Sequence, residues 1–543
     1  MRKYLLIALV TSVFLACDRE DKIPSSDPNV LIIADVDALN SRFSMEGAGV
    51  VEIFPTGTDN GRILEGEEQA GNIPLMKVSQ VNPPVFDSYT LTATHVDING
   101  NYAFVSYNTA GPVFLGAIEI FDITDPLHPK ITSQAIFKNA DINSLSYKNG
   151  MLYAAAAFDI DSEPNIKTAA QLLMVNVSSG KFMSDFSKSD IEGFAAVDVC
   201  TTSDNIIVAS GSNGLVGKFD QNGKMTANLP IADLRAVKYG NDVLAVLSGL
   251  EGIKILNPSS LEKIFSVPLS NDIAESKRTL DMAPGLLLAS EGLKGVGVYS
   301  VKSGALMQRL AIPVKPNDVA DGDIVTNAVS FDDGKVYMAN GGAGVSISRL
   351  VENDVLEEIG ILGIYGSSNF IKSHKGYIFV ASGRQGLQIL SLADKEELAL
   401  NPEINCGGFG QYSGDANLNI NSDENIGYSG ATSLKNVNVS GQFTFCGSLA
   451  IENNLNINSG GLFQMNGAFV FGQYNKDRTL IINSNAILRI FGDVVIYGNL
   501  NLNSGATIEF VGEGNKITIF GKVNKSQNVI IKGDFVDTEG KLK

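Results

Sequence analysis

Asp159, Asp161 and Glu163 place three carboxylates within five residues, in the string Phe158-Asp159-Ile160-Asp161-Ser162-Glu163-Pro164. Several carboxylate oxygens so close together suit a hard cation, which makes the string a candidate calcium site. It is also a candidate protein or glycan contact, and a solvated acidic loop accounts for the same residues. Asp318, Asp321 and Asp323 form a second acidic group. Their spacing does not fit an EF-hand loop, so they read as an ordinary turn. His95, His128 and His374 are scattered, and the four cysteines contain no C-x-x-C pair, so no zinc site of the usual ligand spacing is expected. The chain has no G-x-S-x-G elbow, H-E-x-x-H helix or phosphate-binding loop. The chain is therefore read as a binding protein rather than an enzyme, with no cofactor. Its net charge is −18, which makes a polyanionic nucleic acid a poor partner.

The first residues determine where such a protein works. Arg2 and Lys3 precede an apolar stretch over 4–15, followed by Ala16, Cys17 and the charged Asp18, Arg19, Glu20 and Asp21. The apolar stretch is shorter than the roughly 20 residues a transmembrane helix needs. Phe14 stands three residues before a cut after Ala16, where an ordinary secretory cleavage site wants a small side chain. The segment Phe14-Leu15-Ala16-Cys17 resembles the lipobox of bacterial lipoproteins. That resemblance implies removal of residues 1–16, acylation of Cys17 and a membrane attachment through lipid, with 17–28 as a tether. The charged run after Cys17 is similar to the export signals of Bacteroidota surface lipoproteins, implying the outer face of the outer membrane. An exported chain can hold a disulfide, so Cys406 and Cys446, in one C-terminal segment, are the candidate pair.

A repeat occupies the middle of the chain. Apolar strands run into Gly211-Ser-Asn-Gly214, Gly249-Leu-Glu-Gly252, Gly292-Leu-Lys-Gly295, Gly341-Gly-Ala-Gly344 and Gly383-Arg-Gln-Gly386, each followed by a second apolar strand. The first glycines lie 38, 43, 49 and 42 residues apart, about one propeller blade. The glycines supply the positive φ of a tight hairpin, and radial stacking buries hairpins that are marginal alone. Degenerate copies at 45–50, 102–122 and 152–176 bring the expected blades to eight, or to seven if N-terminal strands join the last blade. The units resemble LVIVD-type repeats of surface β-propellers, seen best in Ile118-Glu-Ile-Phe-Asp122-Ile-Thr-Asp-Pro126. The resemblance covers 29–398 and implies fold rather than function. The 158–164 string replaces a Gly-x-x-Gly turn, so it is expected beside the long 108–116 connection of the preceding blade. Tyr107, Phe114, Phe158, Asp159, Asp161 and Glu163 are thus the candidate binding patch.

Composition shifts near 401. The last 143 residues contain one of the 17 prolines and 22 asparagines. Asn417-Leu-Asn-Ile-Asn421, Asn454-Leu-Asn-Ile-Asn458 and Asn499-Leu-Asn-Leu-Asn503 are near copies, and Leu455, Leu480 and Leu500 recur at 25 and 20 residues. This spacing predicts a parallel β-solenoid over 402–543, with a jelly roll as the alternative. Regular asparagines suggest amide ladders between rungs, although those just before Ser-Gly read as turn residues. The expected function is a non-catalytic, surface-exposed outer-membrane lipoprotein that binds or scaffolds a protein partner, possible docking on an outer-membrane complex included. A glycan-binding adhesin and a polysaccharide-active enzyme are the alternatives.

Overall fold

A computed structural model describes residues 22–23, 25–51, 53–54, 70, 73–109, 111–269, 277–313, 315–316, 319–364, 366–392 and 400–542. The signal segment, Cys17 and Asp318 lie outside them. The protein is all-β and has two parts, a seven-bladed propeller and a parallel solenoid.

In each blade, consecutive antiparallel strands run from the central channel outward. The innermost strands are Thr92–Asn99, Ala140–Lys148, Ala196–Thr201, Leu234–Gly240, Leu280–Ala283, Ala328–Asp332 and Phe370–His374. They form a closed ring in which the last contacts the first. Second strands such as Ile206–Ser210 and Leu286–Ser290 are buried along their whole length. They lie between two neighbouring blades, so both faces are covered and the sequence reads as an apolar block instead of an alternation. First and second strands are joined by polar turns with positive φ, including Asn149-Gly150, Asn241-Asp242 and Asp333-Gly334.

The ring closes through the N-terminal segment. Leu75–Val81 pairs with Leu387–Leu392 as the outer strand of the seventh blade, and Phe43–Ser44 and Gly49–Val50 add to its edge. The favoured count of eight blades is thereby corrected to seven. Residues 45–50 form no separate hairpin because their partner strand already belongs to the last blade. Val30–Ile33 and Lys22–Ile23 extend the first blade, and Ile53–Phe54 extends the sixth.

The C-terminal domain is a three-faced parallel solenoid of about six rungs. Alternate side chains point inward, so Leu418, Val437, Leu455, Leu480 and Leu500 stack in register. Gly430, Gly447, Gly467 and Gly492 stack at one corner, with φ of +99°, +126°, +138° and +115°. A Cβ on Gly467 would sit 2.1 Å from the Gly447 carbonyl oxygen, so only glycine permits this bend. Cys406 and Cys446 are joined in a disulfide that pins the segment after 400 to the second rung.

One solenoid face packs on the propeller. Ala450, Val470, Val495 and Tyr497 join the apolar core of the first and seventh blades. Main-chain bonds run from Val50 N to Gly472 O (2.9 Å) and from Tyr474 N to Ala48 O (2.7 Å). Gly49 is needed at this contact, because a Cβ there would lie 2.3 Å from the Gly472 oxygen.

Candidate binding face of the propeller

Antiparallel order determines which loops share an end. Turns between second and third strands, and connections from one blade's outer strand to the next blade's inner strand, all emerge at one end, here called upper. The remaining turns emerge at the lower end. Large exposed apolar side chains divide unequally between the two. Val113, Ile160, Leu250 and Leu293 stand on upper turns, and Val85, Tyr89 and Phe194 on upper connections. Phe194 is 75% exposed, Leu250 65% and Val85 62%. On the lower loops Val36 and Val355 are exposed among the described residues, and Met183, Ile264, Leu306 and Met307 are exposed near the lower starts of outer strands. Ordinary turn chemistry does not explain the upper loops, where apolar groups stand in water on both hairpin turns and blade-to-blade connections.

The expected patch lies on this upper end but presents different atoms. The 158–164 turn and the 108–116 connection belong to adjacent blades. Tyr107 and Phe158 are fully buried, and Phe114 is half-buried, so neither of the first two can touch a partner. Glu163 is turned inward. Its Oε1 accepts from Lys188 Nζ (2.8 Å), Asn139 Nδ2 (3.0 Å) and Asn29 Nδ2 (3.2 Å). Burial would raise the Glu163 pKa, and these three donors override it, holding the carboxyl below the usual glutamate range. Asp159 caps a short 3-10 turn by accepting from Asp161 N at 3.1 Å, and Asp161 is exposed. The three carboxylates therefore do not converge. Among the described residues no group of three or more His, Cys, Asp or Glu is arranged to hold a metal. The turn instead displays Ile160 and Asp161 to solvent. Asp321 and Asp323 sit in an exposed 3-10 turn.

The channel carries charge that sequence reading missed. Asp97 accepts from Tyr147 N (2.7 Å), Asp198 from Val237 N (2.9 Å) and Asp281 from Phe331 N (2.8 Å). In each pair an inner-strand carboxylate on one blade holds the backbone of the next. Lys238 pairs with Asp281 at 2.6 Å. Lys277, on the fifth blade, reaches across to the carbonyls of Thr94 (2.7 Å) and Asn143 (2.9 Å) on the first and second. Burial lowers its pKa to about 8 against the pull of Asp198. Burial, with Lys277, Lys372 and Lys238 nearby, keeps His95 well below its usual value and neutral. Cys200 lies on an inner strand with its thiol pushed up to about 12 by burial, far from the range of a reactive thiolate. These carboxylates are spent on joining blades. A signal for them existed in polar residues placed inside otherwise apolar inner strands. For the upper face, the signal was leucine inside the Gly-x-x-Gly turns at 250 and 293.

The fold and this face define an all-β class, a propeller with one decorated end and a docked solenoid. No protein-family model matches the chain, and no curated protein matches it. Among solved structures, the WD40 β-propeller domain of Doa1 is 10% identical with a TM-score of 0.41, covering 60% of this chain and 98% of that one. U3-55K is 9% identical with a TM-score of 0.44, covering 57% and 98%. The computationally designed Ika8 protein is 10% identical with a TM-score of 0.39, covering 64% and 98%. The propeller assignment rests on the closed ring of seven sheets itself.

Proposed function

We propose that the protein is a non-catalytic, lipid-anchored surface lipoprotein of the outer membrane that grips a protein partner with its upper propeller face, as an accessory subunit of an outer-membrane complex. The observation that carries this reading is the display of seven exposed apolar side chains on the upper loops, against Val36 and Val355 on the lower ones. Phe194 and Leu250 are suited to act as anchors, since apolar groups already ordered in the free protein lose little entropy on binding. Orientation supports it as well. Lys22–Ile23 runs toward the upper end, antiparallel to Val30–Ile33, so the chain enters the first blade from the lower side. The solenoid docks on the seventh and first blades at that same lower side. A lipid on Cys17 would then leave the upper face pointing away from the membrane.

The test is co-purification from gently solubilised membranes. The unaltered chain should retain a membrane-protein partner in stoichiometric amount, and Phe194→Asp with Leu250→Asp should reduce it at least tenfold. Met183→Asp, on an outer strand, should leave it unchanged. Equal retention by all three shows that the upper face does not hold the partner.

A further inference from the structure

His128 stands in the lower turn of the first blade, between the third strand Gly116–Asp122 and the outer strand Lys130–Phe137. Both of its ring nitrogens meet carboxylates. Nδ1 lies 2.9 Å from Asp125 Oδ2, in the same turn, and Nε2 lies 3.0 Å from Glu539 Oε1, just after the solenoid's last strand Phe535–Asp537. The ring also tilts against Phe520, with centroids 5.7 Å apart, and Phe520 stacks on Tyr497 at 4.9 Å. Tyr497 belongs to the apolar core that solenoid and propeller share. One propeller side chain is thus tied to the C-terminal end of the solenoid by a hydrogen bond and a ring contact.

Counting donors fixes the form of the ring. A carboxylate only accepts, a neutral imidazole has one N–H and one lone pair, and the imidazolium has two N–H groups. The arrangement therefore needs the imidazolium. A neutral ring would leave its lone pair facing one of the two carboxylates. His128 is 36% exposed and Glu539 29%, so solvent protons reach the ring. The segment around Glu539 has supports of its own, since Thr538 Oγ1 donates to Thr518 Oγ1 (2.7 Å) and Leu542 N to Asp537 Oδ2 (2.7 Å). Loss of the His128 bond would thus free the joint and leave the solenoid's end folded.

The other titratable groups around this contact are of different kinds. Asp125, Tyr377, Asp493 and Lys516 line a cavity of about 340 Å³ between the turn and the solenoid. Burial pushes the Tyr377 phenol above its ordinary value, so it stays neutral. Burial would raise Asp125 as well, but its bond to His128 overrides this and holds the carboxyl below the usual range. Asp122 and Lys130 flank the turn, and Lys541 Nζ donates to the carbonyl of Gly521 at 3.0 Å. Carboxylates and ammoniums ordinarily titrate well to either side of imidazole. Burial holds the two remaining histidines, His95 and His374, below their usual value.

We propose that His128 is a proton-dependent latch that fastens the solenoid's C-terminal end to the first blade, closed as the imidazolium and released when the ring loses its proton. The fastening is present below the imidazole range while the carboxylates stay ionised, and it is lost as pH rises through that range. Hydrogen exchange of the detergent-solubilised full chain, corrected for the intrinsic effect of pH, tests this at pH 5.5 and pH 8. Segments 120–130 and 535–542 should both exchange about fivefold faster at pH 8. His128→Gln should abolish the difference. Glu539→Gln should keep both segments slow at pH 8, because a neutral ring can donate through Nδ1 to Asp125 and accept at Nε2 from the amide placed there. Equal exchange of the unaltered chain at the two pH values, a difference that survives His128→Gln, or fast exchange of Glu539→Gln at pH 8 overturns the proposal.

Discussion

Glu358 has one carboxylate oxygen buried without a hydrogen-bond partner, and burial raises its pKa from 4.5 to about 7. Between those values the folded protein holds a proton that the unfolded chain releases. Its contribution to stability is therefore fully present below pH 4.5 and lost as pH rises through 7. Glu358→Gln should raise stability by about 1 kcal/mol at pH 8, a figure discounted for the solvent that reaches this half-buried group, and by nothing at pH 4. Denaturant midpoints at the two pH values check this, and an equal gain at both contradicts it. Residue-level chemistry was only partly legible in the sequence. The pairing of Cys406 with Cys446 could be named, but the inward turn of Glu163 depends on Lys188 and Asn29, which no local pattern links to it.

At the level of elements, periodicity exposed both repeats. Paired glycines marked hairpins, and recurrent leucines marked rungs, because each satisfies a local requirement of turn or core. The eighth unit failed because ring closure is non-local: Leu75–Val81 looks like any strand until Leu387–Leu392 is beside it. The corner glycines were also missed, since steps of 17, 20 and 25 residues hide their stacking. Gly467→Ala must overcome both a positive φ and a Cβ placed 2.1 Å from Gly447 O. It should cost about 3 kcal/mol or more. Gly460→Ala has φ +80° and nothing within 4 Å of its Cβ, so strain alone should cost about 1 kcal/mol. Thermal unfolding of the pair separates clash from strain, and equal losses would contradict the close corner.

Over the whole molecule, the two ends of the propeller differ in what they carry. The lower end receives the N-terminal chain and the solenoid, while seven exposed apolar side chains stand on the upper loops. Sequence reading placed the candidate patch on two loops that adjacent blades carry at the upper end, but it named Tyr107 and Phe158, which fill the core, because burial on a turn's flank cannot be told from display at its tip without the fold. The proposal at this scale is a protein partner seated on the upper face. A photo-cross-linking amino acid placed in intact cells at position 194 or 250, with positions 183 and 355 for comparison, tests it most directly. One discrete protein adduct is expected from 194 and 250 and none from 183 or 355. Adducts from 183 or 355 alone, or none from any position, would contradict it.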